Sequence, residues 1–113
     1  MSISKLIGLT LTRVDVADEV ITFTSNDGRV FKMLHHQDCC ECVRVEDVIG
    51  DVLDLIDTPI VYAEERSNSD ESASESGTWT FYELRTIKGS VTIRWYGSSN
   101  GYYSEDVDFE EIQ

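Results

Sequence analysis

Between Val20 and Leu34 hydrophobic and polar side chains alternate on both sides of Asn26-Asp27-Gly28. Alternation with period two is the pattern of a half-buried strand, and the glycine supplies the positive φ that a hairpin turn demands. A two-residue Asp27-Gly28 loop would set Phe23 opposite Lys32 and mix the faces. A three-residue loop with a glycine bulge sets Phe23 opposite Phe31 and Ile21 opposite Met33, with Thr22 and Lys32 together outside. A slip by one residue would turn this whole apolar set to solvent, so the three-residue loop is predicted. Leu9, Leu11 and Val14 predict a preceding strand, with Asp15 to Asp18 as the turn.

After residue 42 the spacing changes. Val45, Val48, Ile49, Val52, Leu53 and Ile56 follow i, i+3, i+4, i+7, i+8, i+11, one face of an α-helix. Glu46 and Asp47 suit the positive end of a helix dipole, and Pro59 ends the helix by about Asp57. Asp47, Asp51 and Asp54 share its opposite face, as a solvated surface or a site for a cation or basic partner. Ile60 to Glu64 is extended again, and the Ser/Glu-rich stretch 67–77 reads as a mobile loop between two strands. A two-residue Lys88-Gly89 turn would pair Thr86 with Val91, Leu84 with Ile93 and Tyr82 with Trp95. It would also set Glu83 against Arg94 as an opposite-charge cross-strand pair. Ser98 to Gly101 is a third turn, leading to a last strand that sets Val107 opposite Ile93 and Phe109 opposite Val91. The expected class is therefore α+β: a strongly twisted antiparallel sheet of about six to seven strands with one α-helix, in the order β-β-β-α-β-β-β-β.

The 113 residues make one domain, 1–113, able to bury a core without metal or disulfide support. No apolar run approaches the roughly 18 residues of a membrane span, and the first residues lack the basic and apolar regions of a signal peptide. The expectation is a soluble protein of the cytoplasm. Net charge is −13, and it is spread along the chain: residues 1–57 hold 11 acids and 5 bases, residues 58–113 hold 11 and 4. Such a field argues against direct binding to nucleic acid or to an anionic membrane and favours a basic protein partner.

Both histidines and all three cysteines fall within His35-His36-Gln37-Asp38-Cys39-Cys40-Glu41-Cys42. The tight bunching cannot staple distant segments, and reduced thiols are expected. Three chemical readings suit these side chains. Cys39 and Cys42 have C-x-x-C spacing for zinc with His35 or His36, but no second ligand pair follows. The same pair ahead of a helix is a redox motif, opposed by the acids Asp38 and Glu41. Cys39 or Cys40 with a histidine base would be a thiol nucleophile. Against these stands a structural reading, in which His35 points inward, bonded to a carboxylate, beside buried cysteines. No cofactor and no metal is assigned. A second cluster, Arg94, Tyr96, Asn100, Tyr102 and Tyr103, gathers aromatic and basic groups around one turn. It suits a protein interface, stacking on a base or sugar, or simple packing on a sheet.

His35 to Glu41, continuing through Gly50-Asp51 and Asp54-Leu55, resembles a family of small phage and prophage proteins of unknown function. So does Thr86-Ile87-Lys88-Gly89 running through Val91-Thr92-Ile93-Arg94-Trp95-Tyr96-Gly97 to Ser99-Asn100-Gly101-Tyr102-Tyr103-Ser104. The resemblance spans nearly the whole chain and implies a phage or prophage accessory protein in the host cytoplasm. The family pattern includes His35, Asp38, Cys39, Cys40 and Glu41, whereas His36 and Cys42 are particular to this chain. The resulting expectation is a non-enzymatic protein that binds a host or phage protein, with inhibition as one form. A small-ligand or nucleotide binder using Arg94 and the tyrosines is the first alternative. A thiol or metal site centred on His35, Asp38, Cys39 and Cys40 is the second.

Overall fold

In the computed structural model, which describes residues 2–112, the chain is almost entirely β. Eight strands run in order: β1 (Leu11–Val16), β2 (Val20–Ser25), β3 (Val30–Leu34), β4 (Cys42–Ile49), β5 (Tyr62–Ser69), β6 (Ser76–Thr86), β7 (Gly89–Ser99) and β8 (Asp108–Glu111). They form two antiparallel four-stranded sheets, ordered β1-β2-β3-β8 and β4-β7-β6-β5. The inner faces share one core. Ile21, Phe23, Phe31, Met33 and Phe109 come from the first sheet, and Tyr82, Leu84, Val91, Ile93 and Trp95 from the second. Trp95 joins the layers directly, donating its indole N–H to Met33 Sδ at 3.1 Å.

The first hairpin has the register its alternation predicts: Phe23 faces Phe31, Ile21 faces Met33 and Thr22 faces Lys32. Its three-residue loop closes with Gly28 at φ +91°.

The α-helix expected over 45–56 is absent, and with it the α+β class. Among the described residues the helical segments are two four-residue 3-10 turns, Ile3–Leu6 and Val52–Leu55. Residues 42–49 are strand β4, whose register against β7 shifts between Val45 and Asp47. A bulge inserts one extra residue, so Val45 and Val48 both lean on the core although three positions apart. That shift imitates a helical i, i+3 step. The β-branched content of Val43, Val45, Val48 and Ile49 suits a pleated surface. Gly50 then turns the chain at φ +105°.

The second hairpin turns one residue earlier than expected, over Ile87 and Lys88, which moves each cross-strand partner by two. Thr86 pairs with Gly89, Leu84 with Val91, Tyr82 with Ile93 and Thr80 with Trp95. A shift of two preserves every side chain's face, so the inward set is as expected while its partners are not. Thr86 fixes the turn by donating its hydroxyl to the Asp54 carbonyl and accepting the Lys88 N–H. A Cβ on Gly89 would stand 2.9 Å from a carboxylate oxygen of Asp54, which would have to swing aside. Arg94 consequently faces Phe81 on one side and Asp47 on the other, not Glu83.

The last strand joins the other sheet. Phe109 pairs with Met33 and Glu110 with Lys32 on β3, and Phe109 stacks on Phe31 with centroids 5.5 Å apart. The pairings of Val107 with Ile93 and Phe109 with Val91 do not occur. Of the Ser/Glu-rich stretch 67–77, the two ends are strand, Ser69 pairing with Thr78 and Ser76 with Ser99. Only 70–75 lies between β5 and β6.

Candidate functional site

His35 follows β3 directly and therefore keeps the inward parity of Phe31 and Met33. Its side chain is 4% exposed, and that of Glu41 is fully buried. Imidazole Nε2 lies 2.7 Å from Glu41 Oε2, and Nδ1 lies 2.6 Å from the Asp106 carbonyl oxygen. A carbonyl can only accept, so Nδ1 carries a proton; an ionised carboxylate can only accept, so Nε2 carries one too. Below its raised pKa His35 is an imidazolium that donates from both nitrogens. Burial pushes its pKa down, but the bonds to Glu41 and Asp106 outweigh burial and raise it. Glu41 is held down to about 2, first by the His35 hydrogen bond and then by the Cys39 amide.

The same carboxylate organises the loop before β4. Asp38 N–H donates to Glu41 Oε2 at 2.8 Å and Cys39 N–H to Oε1 at 2.9 Å. Gln37 closes the turn through its amide N–H to the Glu41 carbonyl at 2.5 Å. Glu41 thus has three donors, and neither His35 nitrogen has a free lone pair for a metal or a substrate proton. Asp38, Cys39 and Cys40 are exposed, and Asp38 and Cys39 meet Glu41 through their backbone amides. The sulfur atoms of Cys39 and Cys40 lie side by side, and Cys42 is apart from them and exposed. Among the described residues no three His, Cys, Asp or Glu side chains are grouped to hold a metal ion.

A second buried carboxylate, Glu105, pins the turn after β7. It accepts hydroxyls from Thr78 at 2.7 Å and Ser99 at 2.5 Å. Burial pushes its pKa up, and these hydroxyls bring it net below the usual range. Gly97 makes room, because a Cβ there would meet Glu105 at 2.9 Å.

The residues of the aromatic cluster separate. Arg94 and Tyr96 sit on the outer face of the β4-β7-β6-β5 sheet, whereas Asn100 and Tyr102 are exposed in the turn beyond it. Tyr103 is half-buried there, its carbonyl near Ser99 Oγ at 3.4 Å. On the outer face Trp79 stands opposite Tyr96, and Phe81 opposite Arg94. The Trp79 and Tyr96 rings are tilted with centroids 4.7 Å apart, and Trp79 stacks on Phe81 at 6.1 Å. The Arg94 guanidinium lies 5.4 Å from the Trp79 centroid while two of its N–H groups reach Asp47 at 2.6 Å each. The Asp47 carboxyl is held below its usual range by Arg94. Arg44 stands opposite Tyr96 and Arg66 opposite Phe81. Trp79 and Phe81 escaped the sequence reading. Their outward parity was visible next to Tyr82 and Leu84, but of the neighbouring strand β5 only the start, to Glu64, was read as extended, and Ser67 to Ser69 beside Trp79 as loop.

An open cleft of about 540 Å³ is lined by Cys40 of the first cluster and by Tyr96 and Asn100 of the second. Its lining includes Glu75 and no Lys, Arg or His. A smaller cavity of about 320 Å³ is bounded by His35, Gln37, Glu41 and Arg44.

Residues 4–109 match the family described as a domain of unknown function (DUF7448). The chain belongs to this family. Comparison with curated proteins and with solved structures finds no match. The matched span of this DUF7448 chain takes in the His35–Glu41 loop, the aromatic face and the Glu105 anchor. No helix among the described residues is long and apolar enough to cross a membrane.

Proposed function

We propose that the protein is a non-enzymatic binding protein, of the phage or prophage accessory type, that engages a host or phage protein in the host cytoplasm through the outer face of the β4-β7-β6-β5 sheet. The observation that carries this reading is the composition of that face. Trp79, Phe81 and Tyr96 remain half-buried there, with Arg94 locked across the Trp79 ring by Asp47. Trp, Tyr and Arg are the side chains that dominate binding energy at protein interfaces. A preorganised guanidinium loses little freedom on association. Four of the nine bases of the chain, Arg44, Arg66, Arg85 and Arg94, occupy this one face. The remaining surface carries the bulk of the −13 charge, which steers a basic partner toward the molecule. Inhibition of the captured protein is one form such binding takes.

The engaged imidazole of His35 supports this reading over a thiol or metal centre, since the proposed base and ligand has no lone pair to offer. The cleft beside Cys40 gives a phosphate no cation, which counts against the nucleotide alternative. Immobilised protein should retain a specific partner from host lysate at low salt, and Trp79→Ala and Phe81→Ala should lose it while remaining folded. Retention of the same partner by both variants would sink the proposal.

A further inference from the structure

Each edge of an open sheet presents a row of backbone N–H and C=O groups with which a further strand can pair. The edges here are β1 and β8 in one sheet and β4 and β5 in the other. Three of the four are blunted in the backbone itself. The register of β1 shifts between Leu11 and Arg13, and the chain at its start is bridged by Ile56 and Pro59. Strand β4 carries the bulge between Val45 and Asp47, and its Val45 N–H already donates to the Asp18 carbonyl at 2.7 Å. Strand β8 is only four residues long. Bulges, covering segments and shortness are the means by which sheets keep an edge from pairing.

Strand β5 has none of these. Its eight residues keep one register against β6, from Tyr62 opposite Arg85 to Ser69 opposite Thr78. Asp70 N–H continues the ladder by donating to the Gly77 carbonyl at 2.8 Å. Bonded and non-bonded pairs alternate along an antiparallel ladder. Arg66 and Asn68 therefore direct their backbone groups toward β6, whereas Glu65, Ser67 and Ser69 direct theirs away from the sheet. Glu65 to Ser69 are all exposed, and among the described residues no backbone group outside the ladder bonds to them.

What guards this edge is charge, and charge selects who pairs with it. From residue 62 to 71 the acids are Glu64, Glu65, Asp70 and Glu71, against the single base Arg66. A second copy of β5 would bring the same acids to the same place, where like charges across a strand pair are destabilising. A strand bearing lysine or arginine meets the opposite condition, and strand addition is an established mode of peptide recognition. We infer that the β5 edge accepts an extended basic segment of a protein partner as a fifth strand of the β4-β7-β6-β5 sheet. The inference goes beyond the aromatic face, since it uses backbone groups at the rim of the sheet and not the side chains on its outer surface.

Amide hydrogen exchange of the full chain, followed residue by residue by NMR, tests it. The probe is a capped peptide of alternating lysine and threonine, as long as β5. Its controls are a twin N-methylated at every residue, which keeps the charge but cannot pair as a strand, and a twin with glutamate for lysine. In the free chain the Arg66 and Asn68 amides should exchange slowly and those of Glu65, Ser67 and Ser69 fast. At saturation the lysine peptide should slow the latter three by about tenfold or more, and neither twin should. Equal slowing by the N-methylated twin would mean that charge alone attracts the peptide, and would overturn the inference. So would no slowing by the lysine peptide, or slow exchange of Glu65, Ser67 and Ser69 in the free chain. A free chain that sediments as a dimer with these amides protected would assign the edge to a second copy and overturn it as well.

Discussion

The imidazole Nε2 of His35 sits 2.7 Å from Glu41 Oε2, both side chains withdrawn from solvent. The same imidazole holds the Asp106 carbonyl at 2.6 Å, so one charged pair ties the loop before β4 to the segment before β8. These two segments connect different sheets. The pair therefore ties the two crossing segments to each other, in addition to the Trp95–Met33 contact between the layers.

The charged pair sets a pH signature. His35 has its pKa raised above the ordinary 6.5, so its contribution is complete below that value and is lost as pH rises through the folded-state pKa. Glu41 is lowered from 4.5 to about 2, so its contribution is complete above 4.5 and is lost as pH falls toward 2. The stability gap between the unaltered chain and His35→Gln, measured by urea unfolding, should be widest at about pH 5–6 and narrow as pH rises through the folded-state pKa of His35. His36→Gln, which removes an exposed contact to Glu110, should show a much smaller gap. A gap for His35→Gln that stays constant with pH would mean the imidazole is neutral.

The two tryptophans should behave oppositely. Trp95 is fully buried, and Trp95→Ala should cost about 3–5 kcal/mol in unfolding free energy. Trp79 lies outside the core, and Trp79→Ala should cost clearly less. In the single-tryptophan variants, acrylamide should quench Trp79 emission and spare Trp95. Equal quenching would place both indoles in similar surroundings and contradict the sheet parity.

Gly50→Ala tests the turn that replaces the expected helix. At φ +105° with a backbone oxygen 2.6 Å from the would-be Cβ, alanine should destabilise the protein by about 1–3 kcal/mol or more. In a helix the same substitution would instead stabilise by about 0.5–1 kcal/mol. Denaturant midpoints therefore distinguish the two structures by sign.

How far the sequence could be read depends on which interactions are local. Phe23, Phe31, Ile21 and Met33 lie around one short turn, and parity alone fixes their register. Parity cannot separate registers two residues apart, so Leu84 was matched to Ile93 instead of Val91. The charge argument that favoured Glu83 with Arg94 failed because the true partner, Asp47, is on β4. That strand was hidden by its own bulge: one extra residue between Val45 and Asp47 converts a two-residue period into a helix-like step. Phe109 was set opposite Val91 in a single expected sheet, where the protein has two, because nothing local to 98–109 encodes the crossing to β3. The charges do record it once the topology is known, in Glu110 opposite Lys32 and in Arg29 at 3.3 Å from Glu111. The candidate site shows the same division. His35 was legible as an inward histidine awaiting a carboxylate, and Glu41 was within the cluster. That Asp106 completes the cage was not, since it lies 71 positions away.

Site-specific photo-crosslinking at Phe81 tests the binding proposal most directly. A photoreactive phenylalanine analogue at position 81 should form an adduct with one basic protein when the chain is produced in its host. The same analogue at Arg13, on the exposed side of β1 in the other sheet, should not. Adducts of equal yield and identity at both positions, or none at Phe81, would contradict the assignment of function to the aromatic face.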